Sequence, residues 1–191
     1  MDFRQTLFKY RSYTPVPFLI VMVLIAQPTG TSLLSGFFLV IVGELIRLWG
    51  VSLAGSETRT RGTVGGSQLV SHGPFAHVRN PLYLGNMLIY FGIGIMANTP
   101  LLAFFALIYF FFQYSLIVSL EEESLFRIFG GEYIDYFQAV PRFVPTFKKY
   151  KGGNPSQPEL DLKKGLNSER SSLLAICITT VLLLVLWYVR E

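Results

Sequence analysis

Five apolar blocks run through this chain, separated by links too short or too polar to join them into anything but helices laid side by side. A bilayer-crossing helix needs about 20 mostly apolar residues. Segments 33–53, 101–120 and 171–189 meet that length, and 82–97 falls slightly short. The first block, 15–27, is bracketed by Pro15, Pro17 and Pro28, and either spans or re-enters. Residues are 51% hydrophobic and only 15% charged, whereas a soluble domain carries about a quarter charged residues. The expected fold is therefore all-α: a polytopic transmembrane helical bundle of about five spans forming a single membrane domain over 1–191.

The links divide by charge. Pro28-Thr29-Gly30-Thr31 and Asn98-Thr99-Pro100 carry none, while the N-terminus and segments 55–81 and 121–170 hold nearly all the Lys and Arg. The positive-inside rule then places the basic segments in the cytoplasm and the C-terminus outside. The uncharged links are so short that they must close antiparallel hairpins. Polar segments 55–81 and 121–150 thus meet at the cytoplasmic ends of the third and fourth spans. Residues 151–170, rich in Gly, Pro, Ser and Lys, read as a surface linker to the last span. The net charge of +4 fits contact with anionic lipid headgroups, and the apolar blocks leave no soluble fold to present a basic face to nucleic acid. One cysteine, Cys177, and two histidines, His72 and His77, offer neither a disulfide framework nor a metal site. Arg4, Lys9 and Arg11 precede an apolar run as in a signal peptide, but no clear cleavage pattern follows, and the segment is read as retained.

Polar residues concentrate in two stretches. One is Ser67 to Tyr83, which contains Gly73-Pro74-Phe75 and Val78-Arg79-Asn80-Pro81-Leu82-Tyr83. The other is Glu121-Glu122-Glu123, followed by Phe129-Gly130-Gly131-Glu132-Tyr133 and Val140-Pro141-Arg142. Asn80-Pro81 is a natural helix boundary, because proline fits the first helical turn and disfavours helix in the residue before it. Asn80 either caps that helix or helps its unpaired N–H groups face an anionic ligand. Adjacent helical residues diverge by about 100°, so three successive glutamates cannot share one ligand if their helix continues. Glu123 and Arg127 also have the spacing of a solvated i,i+4 pair. Glu44 and Arg47, inside an apolar block, are functional candidates or neutralise each other. Arg59 and Arg61 flank Thr60 and suit either an anionic group or lipid. Gly92-Ile93-Gly94 allows close helix packing.

The order Gly-Pro-Phe, Val-Arg-Asn-Pro-Leu-Tyr-x-Gly, Glu-Glu, Phe-Gly-x-Glu-Tyr-x-x-Tyr, Val-Pro-Arg over residues 68–145 resembles the isoprenylcysteine carboxyl methyltransferases and the related phospholipid methyltransferases. The resemblance implies a membrane enzyme with S-adenosylmethionine in a pocket on the cytoplasmic side. The cofactor contacts it implies fall on Ser67, Gln68, Leu69, Val70, Phe75, Asn80, Pro81, Leu82, Tyr83, Glu121 and Glu122. Phe75 stands where the family usually has Tyr, Asn80 where it commonly has His, and Ser67 where some members have His. Carboxyl methyltransferases place an Arg four residues before the first Glu to orient the substrate carboxylate, and this chain has Ile117 there. Arg142, Arg47 and Arg59 are the candidates to replace it. Tyr83, Glu121 and Arg142 are the expected catalytic residues: alignment supplies much of the acceleration in methyl transfer, and an amine acceptor would also need a base. No metal is expected. The partner implied is a lipophilic acceptor entering between helices, and the compactness of the chain suggests the lipids of a bacterial plasma membrane. The alternatives are an NADPH-dependent reductase of the sterol type and a non-catalytic scaffold of the same fold.

Overall fold

A computed structural model of the chain describes residues 2–55 and 68–190. Among these residues are seven α-helices and no strand: α1 (Phe3–Tyr10), α2 (Pro15–Leu24), α3 (Gly30–Ala54), α4 (Pro81–Met96), α5 (Pro100–Phe129), α6 (Gly131–Ala139) and α7 (Leu162–Arg190), with a 3-10 turn at Gly73–Ala76. The helix starts follow local chemistry. The Asp2 side chain accepts from the Arg4 backbone N–H at the head of α1. Thr29 and Ser32 form a reciprocal capping box at the head of α3. Pro15, Pro81 and Pro100 open α2, α4 and α5 where a missing N–H costs nothing. Between α5 and α6 the chain reverses at Gly130, whose φ of +51° suits glycine.

The centre of the bundle is a glycine seam. Gly36 and Gly43 on α3 stand seven residues apart, as do Gly85 and Gly92 on α4, a spacing that returns each pair to one helix face. A Cβ on Gly43 would lie 2.7 Å from the Gly85 carbonyl oxygen, and one on Gly92 would lie 2.8 Å from the Gly36 carbonyl oxygen. The two backbones therefore touch along their length in antiparallel register. Gly94 faces the Ala103 side chain in the same way and closes the α4–α5 hairpin. The expectation of close packing at Gly92-Ile93-Gly94 holds.

Helix α7 lies antiparallel along α3. Its Gly165 packs on Ser52 at one end, and Trp187 lies beside Gly30 at the other. That second end gathers the uncharged links: Gln27 N donates to Ala97 O at 3.0 Å, Asn98 donates to Gln27 O at 3.1 Å, and Arg190 donates to Ala26 O. The opposite end collects α1, residues 68–80 and residues 121–161.

Helices α3, α5 and α7 are long and apolar enough to cross a membrane, while α2 and α4 are apolar but shorter, with 10 and 16 residues. Large apolar side chains such as Phe38, Phe104, Phe112, Ile178 and Val185 are exposed around the bundle, as a lipid-facing belt requires. Two helices exceed the apolar blocks that announced them. Helix α5 runs on through all three glutamates to Phe129 rather than stopping at 120. Helix α7 begins at Leu162, so residues 162–170, expected as linker, are its first turns. The cause is local. The Asp161 carboxylate accepts from Lys164 N at 3.0 Å, and Gly165 fits against Ser52.

Candidate functional site

Because α5 continues, its three glutamates point three ways. Glu121 accepts a hydrogen bond from the Tyr83 hydroxyl at 2.8 Å. Glu122, only 5% exposed, is clasped by two guanidinium groups, Arg79 at 2.9 Å and Arg142, whose Nε lies 3.2 Å from Oε1. Glu123 faces outward and pairs with Arg4 of α1. The expected pair of Glu123 with Arg127 gives way to this one, because α1 packs on the same flank of α5.

Tyr83 reaches Glu121 from the first turn of α4, which Pro81 fixes in place. Its ring packs at a tilt on Tyr114 with centroids 4.6 Å apart, and Phe110 and Tyr90 continue the aromatic wall. Asn80 sits at the N-cap position without capping: its amide donates instead to Arg142 O at 3.2 Å. Arg79 ties the same joint. Its backbone N donates to Pro141 O at 2.9 Å, its guanidinium donates to Val140 O at 2.9 Å and to Phe137 O, and it lies 4.0 Å above the Phe137 ring.

A cover forms over this joint. Residues 68–78 are stitched to residues 136–157 by Tyr136 OH to Phe75 O at 2.8 Å, Tyr150 N to Ala76 O at 3.0 Å, and Thr146 N to His77 O at 2.9 Å. Gln157 accepts from Ser71 N at 3.0 Å and donates to Leu69 O at 3.2 Å, and Gln68 donates to Ser156 O. Leu69 is buried with Tyr133, Tyr136 and Val140 in a small second core. Burial there pushes the phenols of Tyr133 and Tyr136 well above the ordinary tyrosine value.

Of the residues expected to line a site, Tyr83 and Glu121 meet directly, and Asn80, Glu122 and Arg142 surround the neighbouring joint. Gln68, Leu69, Val70 and Phe75 belong to the cover. Pro81 is buried, and Leu82 packs toward Gly50 of α3. Ser67, Arg59 and Arg61 lie outside the described residues. Arg47 is committed within the bundle: it binds Glu169 of α7 and Asn86 of α4, with Glu44 3.7 Å away. Ile117 is fully buried in the main core. Sequence reasoning missed Arg4, Arg79, Asn86, Gln157 and Glu169 as partners. For Glu169 the signal was hidden, because the residue fell in a stretch that reads as linker and so had no helical face. Arg79, inside the motif, was legible as a basic residue but not as the partner of Glu122.

The Glu121 carboxylate keeps acceptor capacity. Tyr83 takes one oxygen of Glu121, and among the described residues no donor reaches the other. That oxygen fits a hydroxyl or a cation.

The profile described as phospholipid methyltransferase matches residues 31–132, more than half of the chain. The chain belongs to this family. The phospholipid methyltransferase match covers the glycine seam, Asn80, Tyr83 and the three glutamates, and stops before Arg142 and α7. Individual proteins are similar to the chain as well. The chain is 32% identical to protein-S-isoprenylcysteine O-methyltransferase of Rattus norvegicus over 132 residues, 62% of this chain and 43% of that protein. It is 30% identical to protein-S-isoprenylcysteine O-methyltransferase A of Arabidopsis thaliana over 115 residues, 58% of this chain and 57% of that one. It is 29% identical over 107 residues to the cobalt-zinc-cadmium resistance protein CzcN of Cupriavidus metallidurans, 56% of this chain and 45% of that protein. The matches span about half the length of these relatives. No solved structure matches.

Proposed function

We propose that the chain is an integral membrane methyltransferase that uses S-adenosylmethionine and methylates a lipophilic acceptor. The observation that carries this reading is the hydrogen bond of Tyr83 to Glu121, which joins two motifs 38 residues apart at the polar end of an apolar bundle. S-adenosylmethionine, when bound, supplies a methyl group already activated on a sulfonium. Glu121 and Tyr83 would hold the cofactor, with the Glu121 carboxylate against its positive charge. Asn80, Pro81, Leu82 and the cover residues Gln68, Leu69, Val70 and Phe75 enclose it and exclude water. Glu122 acts by holding Arg79 and Arg142 in place.

For a carboxylate acceptor no proton has to leave. For an amine, Glu121 is the nearest candidate base, because Tyr83 already orients it. Arg142, one-third exposed at its side chain, is the candidate to orient the acceptor from the water side. Helices α2 and α4 complete a five-span arrangement. The basic end then faces the cytoplasm of a bacterial plasma membrane, and the acceptor's tail arrives sideways through lipid.

Isothermal titration of the purified protein in detergent with S-adenosylmethionine tests the reading. Binding is expected, and Glu121→Gln should weaken it by about tenfold or more, the loss expected for one charge-assisted hydrogen bond. Protein that still unfolds cooperatively but binds no S-adenosylmethionine would sink the proposal.

A further inference from the structure

The arginines around the site are nearly all neutralised. Arg79 and Arg142 share Glu122, Arg4 pairs with Asp2 and Glu123, and Arg47 pairs with Glu169 and Glu44. Arg11 is different. Among the described residues no carboxylate lies within ion-pair distance of it. Its guanidinium lies 3.9 Å above the Phe8 ring, and its Nη1 donates to Phe8 O at 2.8 Å. Most of its five N–H donors remain unused by the protein.

Its position is fixed by residues on both sides. Arg4, one end of α1, reaches Ser119 at 3.3 Å and also Glu123. Thr14, just past Arg11, accepts from Gln113 Nε2 at 3.0 Å. Arg11 is therefore carried along the turns of α5 between Gln113 and Ser119, which hold Tyr114 and Ile117 and lead into Glu121. Phe8, whose ring carries the Arg11 guanidinium, belongs to the same buried cluster as Tyr114 and Ile117, and Tyr83 packs against that cluster. Ile117, buried at this level, supplies no polar group. Arg11 also lies outside residues 31–132, so the family match assigns it no part.

We propose that Arg11 is an anion-binding residue of the Tyr83–Glu121 site and receives a carboxylate of the molecule held there. A guanidinium flattened on an aromatic ring is partly stripped of water and pre-oriented, and its free edge matches a carboxylate in fork geometry. The proposal rests on the methyltransferase reading above. The carboxylate has two possible sources: the methionine end of the cofactor, or an acidic head on the lipophilic acceptor.

The experiment compares wild type, Arg11→Gln and Arg11→Lys, each checked by thermal unfolding. Titrants are S-adenosylmethionine, decarboxylated S-adenosylmethionine, and a farnesyl thioether of N-acetylcysteine as its free acid and as its carboxamide. If the cofactor is the source, Arg11→Gln loses about tenfold or more in affinity for S-adenosylmethionine, keeps its affinity for the decarboxylated form, and Arg11→Lys recovers part of the loss. If the acceptor is the source, both cofactor affinities stay unchanged, and wild type prefers the acid over the carboxamide while Arg11→Gln does not. A folded Arg11→Gln protein that matches wild type for all four titrants overturns the proposal, as does an equal loss for S-adenosylmethionine and its decarboxylated form. Absence of S-adenosylmethionine binding by wild type itself would instead remove the underlying reading.

Discussion

Glu122 stands where two guanidinium groups meet, and one of them, Arg79, has no other carboxylate to turn to among the described residues. Replacing Glu122 by Gln leaves Arg79 charged and buried, a change that costs about 3–5 kcal/mol when one partner of a buried pair is removed. Glu122→Gln should therefore lower the unfolding midpoint in detergent sharply. Glu121→Gln and Glu123→Gln should move it little, the last because its pair is exposed and screened. Equal effects from all three substitutions would show that Glu122 is not a structural keystone. The divergence of the three side chains was legible in the sequence, because helix geometry alone forbids a common target. Their partners were not: Arg4, Arg79 and Arg142 lie 119, 43 and 20 residues away, and charge alone does not say which arginine meets which glutamate.

At the scale of the helix pair, the seam between α3 and α4 depends on the absence of side chains. Gly92→Ala places a methyl against the Gly36 carbonyl and Val40. Overpacking of this kind costs about 1–3 kcal/mol. Gly131→Ala is the matched control, since a Cβ there meets nothing within 4 Å. It should leave the unfolding midpoint unchanged or slightly raised. Comparable destabilisation by both would refute the seam. The apolar blocks announced α3, α4, α5 and α7, but hydropathy marks the part of a helix that suits hydrocarbon, not where the helix ends. That is why α5 outran its block through Glu121–Glu123 and α7 began inside a polar stretch. Helix α1 has eight residues and a mixed face, too little pattern to stand out from a basic N-terminal tail.

Across the whole molecule, the cover formed by residues 68–78 and 136–157 closes one end of the bundle, and Tyr136 sits at its centre. Its phenol donates to Phe75 O and is raised by burial above the ordinary value of about 10. The sign follows from proton counting. Below about pH 10 neither state ionises and the contribution is intact; above it the unfolded chain releases a proton that the folded chain keeps, and stability falls. Tyr136→Phe should be less stable by about 0.5–1.5 kcal/mol at neutral pH. Its unfolding midpoint, followed from about pH 8 to about pH 11, should decline less than that of wild type, so the two curves converge. Parallel curves would mean that Tyr136 is not the titrating group. That the two motif stretches would meet was legible, because uncharged hairpin links force their ends to one side. How residues 141–157 fold back over residues 68–78 was not, since those contacts are backbone hydrogen bonds and side-chain bonds from Gln68 and Gln157 to backbone groups, which no sequence pattern pairs.

The glycine seam also governs where the bundle can part. Helices whose carbonyl oxygens rest on each other's bare backbone cannot be prised open by a few rotamer changes. An oily guest approaching from the bilayer finds that flank welded shut. If the chain takes a lipophilic acceptor as proposed, its entry is expected on the α5 side, where Phe, Tyr and Leu side chains meet one another and can swing aside without breaking the frame.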